Sequence, residues 1–383
     1  MYSVYQHWDP LKVCVVGRSY PPEFYSWITV PHVRELFEKI AIETEEDFQN
    51  IIKKLQEFGV EVLRPDLPVD LLVNGKYVLP PMTPRDHMSM IGETFYENIG
   101  YHPVDFCQCY NDVKDSSWPN INNVNDYKNL PHSIQQECEQ IHGLNPSNLY
   151  QKVNATNCYN KILNKIKTQG NTIISGLAQN INGAMVSRIG QDLYFGTSSY
   201  DQPIETFKKL CDQEFLHTRN HVINTGGHSD AVYCPVCPGL IISLRDVPTY
   251  AETFPGWEVV YLPGQSWGKV QSFLELKEKN KGKWWIPGFE NDQAVIDLVE
   301  NWLGHWTGYV AETVFDVNML IINPKNVIVF NYNKQVFDAL DRYGITPHIV
   351  PFRHRYFWDG GIHCVTSDLH REGTKQDYFK ERN

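Results

Sequence analysis

The apolar positions of this chain repeat one grammar: a helically spaced run, a glycine that stops it, a short β-rich stretch, then a turn. Phe48, Ile51, Ile52, Leu55 and Phe58 recur at helical spacing, Gly59 closes the run and Val60–Leu63 resumes as a strand. Thr44 and Asp47 have the Thr-x-x-Asp spacing of a capping box, which predicts that this helix begins there. Val336, Phe337, Leu340 and Tyr343 repeat the pattern before Gly344, with a strand over Ile345–Val350. Ile204, Phe207 and Leu210, leading to His221–Asn224, form a looser copy. Phe254-Pro-Gly256 followed by Trp257–Tyr261 reads as the end of another.

Between these units lie segments that read as strand–turn–strand hairpins, over Asp86–Tyr96, Asn182–Phe195, His228–Ser243 and Asp316–Phe330. Turn residues fall mid-segment each time, as hairpins require. A helix, a strand and a hairpin per module, recurring along the chain, predict a pseudosymmetric α/β ring. Each hairpin opens on a polar residue: Asp86, Asn182, His228 with Asp230, and Asp316. A fifth opening holds Gly360-Gly-Ile-His-Cys364. Equivalent strand starts in a ring converge near its axis, so these side chains could share one pocket. The alternative is that each caps its own strand or forms an Asx-turn.

Two segments break the rhythm. Residues 100–170 are rich in Asn, Tyr and short polar clusters, and residues 269–307 join a Lys/Glu-rich stretch to a helical pattern of Ile296, Val299, Trp302, Leu303 and Trp306. Both read as insertions between modules, suited to a lid or an oligomer contact, so a homodimer is allowed for. The length of 383 residues would by itself admit two or three domains, but modules around one axis make 1–383 a single domain.

Composition narrows the function. Apolar residues make up 42% and charged residues 21%, an ordinary globular profile. A net charge of −11 argues against electrostatic nucleic-acid binding. The chain has no apolar run near membrane-spanning length and its first residues do not read as a signal peptide, so no membrane partner is expected. Nine cysteines, an odd and scattered number, suit reduced thiols and a cytoplasmic location.

Cys364 is the candidate nucleophile, because flanking glycines let a ligand approach the backbone and His363 and Thr366 are polar neighbours. His228, in Gly226-Gly-His-Ser-Asp230, is the candidate acid and base, since an imidazole poised near neutrality can give and take one proton in two steps. Cys14, Cys138, Cys158 and Cys211 read as structural thiols. No metal site is expected: Cys234-Pro-Val-Cys237 has ligand spacing, but no second pair completes four ligands. Nucleotide-binding and serine-hydrolase motifs do not occur.

These residues resemble the amidinotransferases of the guanidino-group-modifying superfamily. Met82-Thr-Pro-Arg-Asp86 is similar to that family's Met-Pro-Arg-Asp motif, His228-Ser-Asp230 to its His-x-Asp, and Gly361-Ile-His-Cys-Val-Thr366, with Asp368 and Arg371, to its nucleophile motif. Trp8-Asp-Pro-Leu through Val16-Gly-Arg18 resembles its opening strand. The resemblance implies a fivefold pseudosymmetric α/β-propeller of ββαβ modules around a central active site, with no cofactor and no metal. It also implies transfer of the amidino group of L-arginine, or a close guanidino donor, to an amine such as glycine through an amidino-cysteine, with ornithine released. In that scheme Cys364 attacks, His228 moves the protons, Asp86 holds the guanidinium, and Asp230 with Arg245 grips the amino-acid end. The family's second carboxylate falls on Asn182, its carboxylate-binding arginine aligns near Val247, and a small polar position is filled by Asp316, which could bind an amine. Hydrolysis by the same Cys and His, or a degenerate binding protein, are the alternatives.

Overall fold

The computed structural model describes residues 1–69, 71–73, 76–97, 107, 110–122, 124–142, 158–175, 183–197, 204–225, 228–244, 249–262, 286, 288–289, 291–303, 316–358 and 360–382. Five three-stranded sheets share one topology: an antiparallel pair whose second strand is joined, through a helix, to a third strand lying parallel to it. The fold is therefore a fivefold pseudosymmetric α/β-propeller of ββαβ blades.

The first blade unites both ends of the chain. Thr366–Arg371 pairs antiparallel with Leu11–Val16, which pairs in parallel with Glu61–Leu63. The second blade is Met88–Ile91, Thr94–Glu97 and Thr172–Ser175; the third is Val186–Ile189, Asp192–Thr197 and Arg219–Asn224. The fourth is Tyr233–Cys237, Leu240–Ser243 and Glu258–Tyr261, and the fifth Leu320–Asn323, Asn326–Val329 and Thr346–Ile349. Opening strands such as Met88–Ile91 and Val186–Ile189 are buried at every position, their polar residues Ser89, Ser187 and Arg188 included. Among the described residues no helix is long and apolar enough to cross a membrane.

Two expectations are corrected here. The first helix runs from Pro31 to Glu57, with Pro31 at its first position, so Thr44 lies mid-helix. Thr44 is fully buried; its hydroxyl donates to Ile40 O at 2.6 Å and accepts from Trp358 Nε1 at 2.9 Å, while Asp47 binds Arg353. The Thr-x-x-Asp pair is a tether to the C-terminal segment, not a cap. Second, the end of the 100–170 segment is not excursion: Asn160–Thr168 is the helix of the second blade, leading directly into its third strand, Thr172–Ser175. In the other irregular segment, Gln293–Leu298 is helical, and Val295, Val299 and Leu303 pack into a core shared by the first and fifth blades while Trp302 is exposed.

The opening strands of the blades carry the centre of the molecule. Asp368, fully buried, accepts from Arg85 Nη1 at 2.7 Å, from Arg188 Nη2 through both oxygens at 2.8 and 2.9 Å, and from Arg371 Nε at 2.6 Å. Burial alone would raise this carboxyl, but Arg188, Arg85 and Arg371 overcome that and hold it well below the ordinary range. His7 Nε2 accepts from Arg188 N at 3.1 Å, and burial with Arg188 pushes this imidazole well below its usual value, so it is neutral. Three blades are thus fastened through one carboxylate.

Candidate active site

The turns that lead into the opening strands are tied to one another. Arg85, in the turn Pro84–Asp86, donates its backbone N–H to Cys364 O at 3.4 Å and its Nε–H to Thr366 O at 3.1 Å. Ser229 Oγ, in the turn Ser229–Ala231, donates to Ala184 O at 3.0 Å. Gly183 is forced by the crowding: a Cβ there would lie 2.5 Å from Met88 O and 2.7 Å from Arg85 O. The second, third, fourth and first blades are thereby laced together at the ends where their opening strands begin.

Cys364 sits in this lacing, 2% exposed. Its Sγ lies 3.8 Å from Asp230 Oδ2, which also accepts from His363 Nδ1 at 2.7 Å. Burial, with Arg85 and His7 adding to it, pushes His363 well below the usual histidine range, so the ring is neutral and its Nδ1–H faces the carboxylate. His228 stands at the start of the next turn, its Nδ1 4.0 Å from Asp86 Oδ1. That is beyond hydrogen-bond range but within reach of an ion pair once the ring is protonated. Asp86 and His228 keep 22% and 33% of their side chains exposed, so this pair is the open side of the site.

The other thiols differ. Burial pushes Cys14, Cys158, Cys211 and Cys234 up to about 12, so they stay protonated. Cys138 is buried as well, and Cys234 and Cys237 pair into the fourth-blade core. None of the eight described cysteines is in a disulfide.

Of the residues expected from the sequence, Cys364, Asp230, Asp86 and His228 lie in this group of turns. Asn182 and Arg245 fall outside the described residues. Asp316 is the fifth-blade residue expected at the site from the sequence. It is buried, its carboxylate accepts from Asn331 Nδ2 and, at 2.8 Å, from Asn333 Nδ2, and Asn333 in turn caps the helix Lys334–Arg342. Each of its carboxylate oxygens thus accepts from a side-chain amide of its own blade. The fifth blade's residue at the thiol is Asn318, whose Nδ2 donates to Cys364 Sγ at 3.2 Å. A register argument finds it: Asp86, Asn318 and Cys364 each stand two residues before the opening strand of their blade. Gly361 makes room for it, because a Cβ there would lie 2.2 Å from Asn318 Oδ1.

Five ββαβ blades thus bring a cysteine, a histidine and two aspartates to the turns before their opening strands. Over 98% of its length the chain is 24% identical to the mitochondrial glycine amidinotransferase of Gallus gallus and 22% identical to that of Xenopus laevis, covering 84% of each. Among solved structures it resembles the inosamine-phosphate amidinotransferase StrB1 of Streptomyces griseus, with a TM-score of 0.60, 18% identity and 99% of both chains covered. It also resembles SxtG, an amidinotransferase of the saxitoxin biosynthetic pathway of Microseira wollei, with a TM-score of 0.58, 17% identity and the same coverage. No family model matches the chain. Over nearly its whole length the chain is therefore similar to amidinotransferases.

Proposed function

We propose that the protein, acting as one domain over 1–383, moves the amidino group of L-arginine or a close guanidino donor to an amine acceptor such as glycine. The observation that carries this reading is the 3.8 Å separation of Cys364 Sγ and the Asp230 carboxylate, next to the Asp86–His228 pair. A planar guanidinium is a cation with several in-plane N–H donors, and carboxylates on two sides suit it.

In this scheme the Cys364 thiolate attacks the guanidino carbon, forming a C–S bond and a tetrahedral adduct. His228 gives a proton to the departing nitrogen as its C–N bond breaks, releasing ornithine and leaving an amidino-thioether. The acceptor amine then attacks that carbon and loses a proton to His228. The C–S bond breaks and the thiolate is restored. Asp86 and Asp230 hold the guanidinium. Asp230 lies close to Sγ, so it faces the guanidinium and the far, amino-acid end of the donor is assigned to Arg245, while Asn182 puts an amide at the sequence position of the family's second carboxylate. A cytoplasmic setting, where thiols stay reduced, suits this chemistry.

The test is product analysis of purified protein with arginine, with and without glycine or other amines. Ornithine formed only when an acceptor is present supports transfer. Citrulline or ammonia formed without an acceptor would replace it with hydrolysis.

A further inference from the structure

We propose that Asn318 is the group that stabilises the ionised form of Cys364, by donating an amide N–H to its sulfur. The orientation of the amide follows from its neighbours. Its Oδ1 accepts two backbone N–H groups, from His363 at 2.7 Å and from Cys364 at 3.4 Å. Both partners are donors, so the oxygen must face them, and Nδ2 must face the other way. There it meets two acceptors, Asp230 O at 3.2 Å and Cys364 Sγ at 3.2 Å. Asn318 is 1% exposed, so water does not compete for these contacts. An aspartate at 318 would keep the first pair of bonds and turn a carboxylate oxygen onto the sulfur.

The charged and titratable groups around the thiol make this donor matter. Asp230 Oδ2, at 3.8 Å on the fourth blade, opposes a thiolate by like charge. His363, on the same turn, is a neutral ring bonded to Asp230 and brings no positive charge. Arg85, from the second blade, spends its Nε–H on the carbonyls of His363 and Thr366 and its Nη1–H on Asp368. Asp86 and His228 lie on the adjoining turns. The Asn318 amide is a side-chain donor held on Sγ. An N–H fixed on an anion favours the charged form, and here it also pins the Asp230 turn, so one amide sets the position of both nucleophile and carboxylate.

This rests on the reading of Cys364 as nucleophile, but its test needs no substrate and stands apart from whether amidino transfer occurs. Thiolate absorbance at the far-ultraviolet thiolate band is titrated with pH for wild type, Asn318→Ala and Asn318→Asp, each corrected by the same protein carrying Cys364→Ser. Near-ultraviolet circular dichroism checks the fold of each variant. The midpoint of Cys364 ionisation is expected to rise by about one unit in Asn318→Ala and by about two in Asn318→Asp, a tenfold loss of thiolate per unit below the midpoint. A folded variant of either kind that titrates with the wild-type midpoint, or below it, overturns the proposal.

Discussion

Cys364 and Asp230 come from different blades, yet the thiol sulfur lies 3.8 Å from the carboxylate Oδ2. One oxygen thus faces both the thiol sulfur and the Nδ1–H of His363. In a ring of blades, such a contact forms only when opening turns far apart in sequence are brought to one axis. Asp230→Asn keeps the shape and removes the charge. A buried charge partner is worth roughly 2–3 kcal/mol, so kcat/KM for the guanidino donor should fall about 100-fold, with the fold intact by circular dichroism. Steady-state kinetics within twofold of wild type would remove Asp230 from the site.

The same lacing explains which parts of the molecule were legible in the sequence. Gly59 and Gly344 stop their helices in positive-φ turns, so two blade outlines could be read directly. The helix Asn160–Thr168 could not be assigned to the second blade, because a long segment separates it from its hairpin and local pattern carries no information on which sheet a helix returns to. Asp316 drew attention through its charge, while the neutral Asn318 two residues on is the one at the sulfur. Only the start of the strand at Leu320 distinguishes them. Cys364 and His228 stood out because glycines flank them and their chemistry is uncommon on a strand start.

Thr44→Val tests the corrected reading of the first helix. It leaves Trp358 Nε1–H buried without its acceptor, which should cost about 1–3 kcal/mol of unfolding free energy in urea and leave turnover unchanged. A cost near zero would mean that the tether does not matter.

Asp368→Asn removes the single anion that fastens Arg85, Arg188 and Arg371. Leaving buried guanidiniums without their partner typically costs about 3–5 kcal/mol. Urea denaturation should show a loss of that size, or the variant should fail to accumulate in folded form. Wild-type stability would contradict the structural role assigned to the carboxylate.

His7 gives stability a pH dependence. Its folded-state value is depressed, so below the unfolded value of about 6.5 the unfolded chain takes up a proton that the folded protein refuses. The stabilising contribution is full above about pH 6.5 and is lost as pH falls toward the folded value, by about 1.4 kcal/mol per pH unit. Unfolding free energies measured between pH 7 and pH 5 should therefore fall less steeply in His7→Gln than in wild type by that slope. Equal slopes would show that His7 is protonated in the native state.

The most direct test of the account is the covalent state of Cys364. Protein incubated with arginine carrying isotopic carbon in its guanidino group, without acceptor, is quenched in acid, digested and analysed by mass spectrometry. The account predicts one labelled amidino group replacing the thiol proton of the Cys364 peptide, ornithine in equal amount, and loss of the adduct when an acceptor amine is added before the quench. Unlabelled Cys364 together with continuing product formation, or full activity in Cys364→Ala, would contradict it.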